Sequence, residues 1–205
     1  GEVGVLLKEH KFTIAVAESA TGGVISNLLT NVSGSSDYFK GSVVSYDNEI
    51  KAEVLGVRRE TLEKYGAVSS QIAEEMAQGV RKLMNTDIGL SDTGIAGPGG
   101  ATPEKPVGLF YIGLSSWYGT QVERHLFHGD RIENKRAAAV ATLRLLKEYL
   151  SKKIGVTLEE KHVVTCFMEH GEKILLLKRS QLVGSYRGRW AGVSGYVEEG
   201  NTIYQ

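Results

Sequence analysis

Apolar and polar positions change period repeatedly along the first 150 residues. Residues 12–17, FTIAVA, form a short continuous apolar run, as in a strand buried on both faces. The loop ESATGG follows and opens into GGVISNLLTNV, which reads as a helix. SGSS at 33–36 predicts a polar turn, and GSVVSYD at 41–47 predicts a second strand. NEIKAEVL at 48–55 predicts a short helix capped by Asp47 or Asn48, and residues 58–65 predict another. From Ser69 to about Asn85 a longer helix is expected, with Ile72, Met76, Val80 and Leu83 spaced as one buried stripe. DIGLSDT at 87–93 reads as a third strand. It leads into GIAGPGGATPEKPVG, whose glycines and prolines oppose regular structure. VGLFYIGL (107–114) and QVERHLF (121–127) predict a hairpin around Trp117, Tyr118, Gly119 and Thr120. A last helix is expected over 131–151, with Ile132, Ala139, Leu143, Leu146 and Leu150 inward. Strands alternating with helices define an α/β domain over residues 1–151.

The remainder has a different texture. Residues 152–161 are charged and read as a linker. HVVTCFM and KILLLKR predict paired strands around Glu169, His170, Gly171 and Glu172, followed by a glycine-rich stretch without a helical pattern. Residues 162–205 thus form a short β-rich extension, too small to bury an independent core of its own. Orphan strand edges recruit other chains, so a homo-oligomer is expected.

Composition narrows the function. The 205 residues carry 24 Lys+Arg and 24 Asp+Glu, a net charge of zero. That balance gives no long-range attraction to nucleic acid or to an anionic membrane, and neither is expected as a partner. The single cysteine, Cys166, excludes an intramolecular disulfide and a multi-cysteine zinc site. No apolar run approaches a membrane span and no leader pattern opens the chain, so a cytoplasmic protein is expected. Glycine is in excess, at 25 residues, and much of it sits in two loops.

Those loops are the first candidates for chemistry. In Glu18-Ser19-Ala20-Thr21-Gly22-Gly23, glycines let backbone N–H groups approach an anion, while Ser19 and Thr21 add hydroxyls; the plainer alternative is a capped helix. Thr93-Gly94-Ile95-Ala96-Gly97-Pro98-Gly99-Gly100 follows a strand, and α/β ligands bind at the carboxyl ends of strands. It is neither a Walker A motif nor a dinucleotide fingerprint. The Ser33-Gly34-Ser35-Ser36 turn offers a nucleophile, which would need a base. None of the five histidines sits in a hydrolase elbow, but a lysine can act as base if burial lowers its pKa. Ser36, Tyr46 and Lys51 would then suffice for amide hydrolysis; otherwise Lys51 is a solvated lysine and Tyr46 a core-edge residue. Arg131 opens the last helix, where the dipole disfavours a cation, and this suits phosphate binding; Asp130 capping the helix is the simpler reading.

AESATGG, SGSSDYFKGSVVSYDNEIK, LGVRRETLEKYGAVS, TGIAGPGG, EKPVG and GDR occur here in one order. Together they resemble the CinA C-terminal domain family, the nicotinamide-nucleotide amidases. The resemblance covers about residues 1–150. It implies a three-layer αβα fold and hydrolysis of the carboxamide of nicotinamide mononucleotide to nicotinate mononucleotide and ammonia. No cofactor and no metal are implied, and the partner is a small-molecule nucleotide. Matched by motif, Ser36 is the implied nucleophile, Lys51 its base, and Tyr46 a proton relay or oxyanion donor. Ser19, Thr21, Gly22, Gly23, Thr93, Gly94, Gly97, Gly99 and Arg131 are the implied ribose and phosphate contacts. Where the family usually reads ESCTGG, this chain has Ala20, so a cysteine-dependent mechanism is not expected.

The segment VVTCFMEHGEKILLLKRSQLVGSYRGRWAGVSGYVEEG is similar to the opening of a Nudix hydrolase. Gly195 aligns with the first glycine of that family's box, but Asn201 stands where a glutamate is expected. The metal-binding REUXEE is absent from this sequence, and Glu198 and Glu199 do not replace it. No pyrophosphatase activity is expected. A non-catalytic nucleotide-binding or assembly module, fused to a Nudix enzyme, is the alternative reading of the chain.

Overall fold

The computed structural model describes residues 2–155 and short strands between Val163 and Tyr196. The interior strand β1 (Ile14–Glu18) is buried along its whole length. It pairs in parallel with β2 (Phe39–Val44) and with β3 (Ile88–Gly94). β4 (Leu109–Ser116) runs antiparallel to β3, and β5 (Gly119–Leu126) antiparallel to β4, giving the order β2-β1-β3-β4-β5.

Alternation along β1 divides the core into two layers. Ile14 and Val16 join Leu7 of α1 (Glu2–Glu9), Ile25 and Leu29 of α2 (Val24–Thr30), and Ala139, Leu146 and Leu150 of α6 (Arg131–Gly155). Ala15 and Ala17 face the other way, onto Ile72, Met76 and Val80 of α5 (Ser70–Leu83). Leu55 and Val57 complete that second layer, between α3 (Asn48–Glu53) and α4 (Arg59–Tyr65). This is the expected three-layer αβα arrangement. Small residues bring α5 close to the sheet: a Cβ on Gly89 would lie 2.2 Å from the Ala77 carbonyl, and one on Gly113 2.6 Å from that of Ala73.

Helix ends follow the caps read from sequence. The Asp47 carboxylate accepts from Glu49 N, and Ser69 Oγ from Ile72 N. At α6, Asp130 Oδ1 accepts from Ile132 N and Glu133 N, while Glu133 Oε2 accepts from Asp130 N, a reciprocal capping box. Each such cap is worth about 1 kcal/mol.

Several boundaries differ from expectation. The sequence pattern predicts no helix before FTIAVA, yet α1 forms there and packs on Tyr38, whose hydroxyl would lie 2.9 Å from a Cβ on Gly4. β2 starts at Phe39 and ends at Val44, so Tyr46 and Asp47 lie beyond the strand. The expected stripes overrun the layers at one end: Leu83 and Ile132 are both more than half exposed. α6 continues to Gly155, past the boundary expected at 151.

Val156–Gln205 forms a second compact unit. There Val163–Cys166 pairs antiparallel with Val193–Tyr196, Glu169–His170 with Lys173–Ile174, and Leu177–Lys178 with Trp190–Ala191. The expected pairing of 162–168 with 173–179 is thus not the one formed: Val163–Cys166 finds its partner further along, and Lys173–Ile174 pairs with Glu169–His170. Glu198, Glu199 and Asn201 lie outside the described residues. Among the described residues, no helix is long and apolar enough to cross a membrane.

Candidate active site

β1, β2 and β3 are mutually parallel, so their carboxyl ends share one edge of the sheet. Three segments leave that edge: ESATGG after β1, Ser45–Asp47 after β2, and the GIAGPGG loop after β3. They enclose a cleft of about 300 Å³ whose polar lining includes Ser19, Tyr46, Asn48, Lys51, Thr93 and Arg131. A position at strand ends where neighbouring loops diverge is the usual ligand crevice of α/β sheets.

Lys51 is the least expected of these side chains. It projects from α3 and is 1% exposed. Its Nζ donates to the carbonyls of Ser45 (2.8 Å) and Tyr46 (3.2 Å). Burial pushes its pKa below the ordinary lysine value, against the opposing pull of the Asp47 and Asp92 charges. A neutral amine has two N–H bonds. With both directed to carbonyls, its lone pair is left to accept a proton.

Ser19 is fixed from below. Its backbone N–H donates to Asp92 Oδ1 at 3.1 Å, and that of Thr21 to Asp92 Oδ2 at 3.1 Å. Asp92 lies at the end of β3 on the same face as Ile88 and Leu90, fully buried; burial raises its pKa to about 6, opposed by the Thr21 hydrogen bonds. Beside it Glu18, also fully buried, turns its carboxylate onto the start of α2. There it accepts from the N–H groups of Gly23 (2.7 Å), Ile25 (3.1 Å) and Ser26 (2.8 Å), and from the Ser26 hydroxyl. The Thr21 hydroxyl lies between Glu18 Oε2 (2.8 Å) and Asp92 Oδ1.

Arg131, at the first position of α6, spans the mouth. Nη1 donates to the Gly97 carbonyl at 2.5 Å and Nη2 to the Tyr46 hydroxyl at 3.2 Å. Tyr46 is 65% exposed, a rim residue and not a core-edge one. The misfit of a cation at a helix start is relieved by the neighbouring Asp130 cap and by these two acceptors.

The structure brings together Tyr46, Lys51, Ser19, Thr93, Gly94, Gly99 and Arg131. It does not bring Ser36 to them. Ser36 is exposed in a short 3-10 turn (Ser35–Asp37) before β2, next to the Lys8–Asp37 ion pair. The whole of β2 separates it from Tyr46, roughly 20 Å at the usual rise per residue. Within one chain, the serine that shares the cleft with Lys51 is Ser19. Gly22 and Gly23 lie outside the lining, and the Gly23 N–H is already taken by the Glu18 carboxylate. Thr21 is turned inward. The Thr93 hydroxyl donates to the Ala67 carbonyl, and Gly97 contributes its carbonyl to Arg131. Sequence reasoning gave Asn48 only a capping role, although it lies three residues before Lys51 in the same motif. Asp92 was missed, although a carboxyl on the Ile88–Leu90 face of a buried strand breaks the apolar pattern. Among the described residues no group of acidic, histidine or cysteine side chains could hold a metal ion.

Fold and site define an α/β domain with a polar cleft at the carboxyl ends of its parallel strands. The chain belongs to the CinA family: the CinA C-terminal domain matches residues 1–150. A CinA-like protein of Dictyoglomus thermophilum is 66% identical over 109 residues, 53% of this chain and 26% of that protein. One from Thermotoga neapolitana is 49% identical over 148 residues, 72% of this chain and 36% of that protein. The chain thus matches about a third of the length of such relatives. Among solved structures, the competence damage-inducible protein A of Klebsiella pneumoniae superposes with a TM-score of 0.71 at 31% identity, covering 73% of this chain and 93% of that one. The competence/damage inducible protein CihA of Agrobacterium tumefaciens gives 0.67 at 35% identity, covering 74% and 96%.

Proposed function

We propose that the domain hydrolyses the carboxamide of nicotinamide mononucleotide, with Ser19 as nucleophile and Lys51 as its base. One observation carries this reading: a buried lysine with a lowered pKa shares a cleft with a serine. Lys51 takes the Ser19 hydroxyl proton as Oγ attacks the amide carbon. The Lys51 ammonium then returns that proton to the departing nitrogen, and ammonia leaves an acyl-serine. Water, deprotonated by Lys51 in turn, hydrolyses the ester and restores Ser19. The Tyr46 hydroxyl and the Asn48 amide at the rim are polarising groups for the carbonyl oxygen, and Arg131 is the cation for the substrate phosphate. No step in this scheme needs a metal.

The assay is ammonia release from nicotinamide mononucleotide in chelator-treated buffer, with nicotinate mononucleotide identified as the second product. Folded wild-type protein that binds the nucleotide without releasing ammonia would instead mark a non-catalytic binding module. The family match ends at residue 150, so the Nudix resemblance of the following segment rests on its sequence, and no pyrophosphatase activity is assigned to it. Self-association of the chain belongs to the same reading, and light scattering measures it directly.

A further inference from the structure

The carboxyl group of Asp92 takes no part in the hydrolysis scheme, yet it is fully buried directly beneath Ser19. Its hydrogen bonds do not balance unless a proton is added. Thr21 Oγ1 contacts both Glu18 Oε2 and Asp92 Oδ1, but a hydroxyl has one hydrogen and can donate to one of them. The other contact is a hydrogen bond only if that carboxyl group is itself protonated. Glu18 is the worse candidate for the proton, since three backbone N–H groups and the Ser26 hydroxyl already donate to it at the start of α2. Asp92 is the better one. It receives only the N–H groups of Ser19 and Thr21, and it stands beside an existing carboxylate.

Charged groups stand near this spot on three elements. β1 brings Glu18, and α3 with its cap brings Lys51 and Asp47. α6 brings Lys135, whose Nζ lies 3.4 Å from where a Cβ of Gly22 would be. The Asp92 charge bears on Lys51 directly: once ionised, Asp92 favours the ammonium form.

We propose that Asp92 is a positioning residue that works in its neutral form: it donates its proton to Thr21, which donates to Glu18, and so holds the Ser19 loop while leaving Lys51 free to be neutral. The role of Lys51 here rests on the amidase reading; the holding of the loop does not. Asp92→Asn tests the idea, because its amide nitrogen at the Oδ1 position is a donor to Thr21 that cannot ionise, although it gives up the acceptor of the Ser19 N–H. The expected result is a variant with kcat/KM between those of wild type and Asp92→Ala, whose pH profile lacks the decline that ionisation of Asp92 near pH 6 imposes on the wild type. Asp92→Ala is expected to lose about tenfold or more in kcat with a smaller change in KM.

A second measurement does not depend on turnover. In wild-type protein the amide proton shifts of Ser19 and Thr21, followed by NMR, should titrate together near pH 6, and this titration should vanish in Asp92→Asn. A decline near pH 6 that persists in folded Asp92→Asn, or the absence of the shared amide titration in wild type, would overturn the proposal. If wild type releases no ammonia while the amide titration is present, the amidase reading fails and the Asp92 assignment stands.

Discussion

Arg131 reaches Tyr46 across 85 residues of chain, its Nη2 donating to the Tyr46 hydroxyl at 3.2 Å while Nη1 holds the Gly97 carbonyl at 2.5 Å. One guanidinium therefore ties the segment after β2 to the loop after β3. Arg131→Ala should raise KM for the nucleotide about 10- to 100-fold, the range of a lost charge-assisted hydrogen bond, and change kcat less. Because the side chain is exposed, thermal stability should move little. Steady-state kinetics beside a melting curve separates the two effects. Tyr46→Phe should reproduce only part of the loss, since the Gly97 contact survives.

The two serines make opposite forecasts. Ser19→Ala should lower kcat by about three orders of magnitude or more, as removal of a nucleophile does, with the fold intact. Ser36→Ala should leave the kinetics of a single chain's cleft within about twofold, because an exposed turn serine far from Lys51 has no reacting partner there. Trapping an acyl-enzyme and mapping it by mass spectrometry should place the adduct on the peptide that contains Ser19. An adduct on the Ser36 peptide would return the nucleophile to the turn.

Lys51 also predicts how stability responds to pH. Its folded-state pKa is lowered, so between that value and the unfolded one the unfolded chain holds more protons. Its contribution to stability therefore improves as pH rises through that window, and it is least favourable below it. Lys51→Met abolishes the titration. The difference in Tm between Lys51→Met and wild type should be most positive near neutral pH and shrink towards pH 10, whatever constant offset the two lost hydrogen bonds add. A difference that is flat with pH would show that the amine titrates as an ordinary surface lysine. In activity, the rising limb of kcat/KM should lie below the usual lysine range.

Glu18 is expected to matter to the fold at large. Glu18→Ala would leave three backbone N–H groups and two hydroxyls without their acceptor in a buried site. A loss of about 3–5 kcal/mol is expected from urea unfolding, in line with other broken buried networks.

Much of this fold is legible in the sequence, for local reasons. The Asp47, Ser69 and Asp130 caps each lie next to the helix they start, and the run at β1 is apolar on both faces. α1 is not legible, because eight residues with charges at both ends carry too short a period. The site divides in the same way. Tyr46 and Lys51 follow from their shared motif, but which serine lines the cleft beside Lys51 does not, because proximity along the chain is broken by a strand. Ser36 is ten residues from Tyr46 with β2 between them. Ser19 is twenty-seven residues away, yet the parallel register pairs Glu18 with Val44 and so sets Ser19 alongside Ser45. The burial of Lys51 is likewise a tertiary fact: α3 shows five exposed or half-exposed residues around the one that turns inward.

The start of α2 holds an internal anion. Many nucleotide-binding loops adopt their shape around the ligand's phosphate, and part of the affinity is consumed in ordering them. Here Glu18 supplies that negative charge from within the chain, so the Ser19 loop is ordered when the protein folds. Free phosphate or sulfate in the medium has nothing to compete for at that helix end. The shape of the loop should be the same in dilute buffer and in a phosphate-rich cell, and substrate binding should bring little further ordering there.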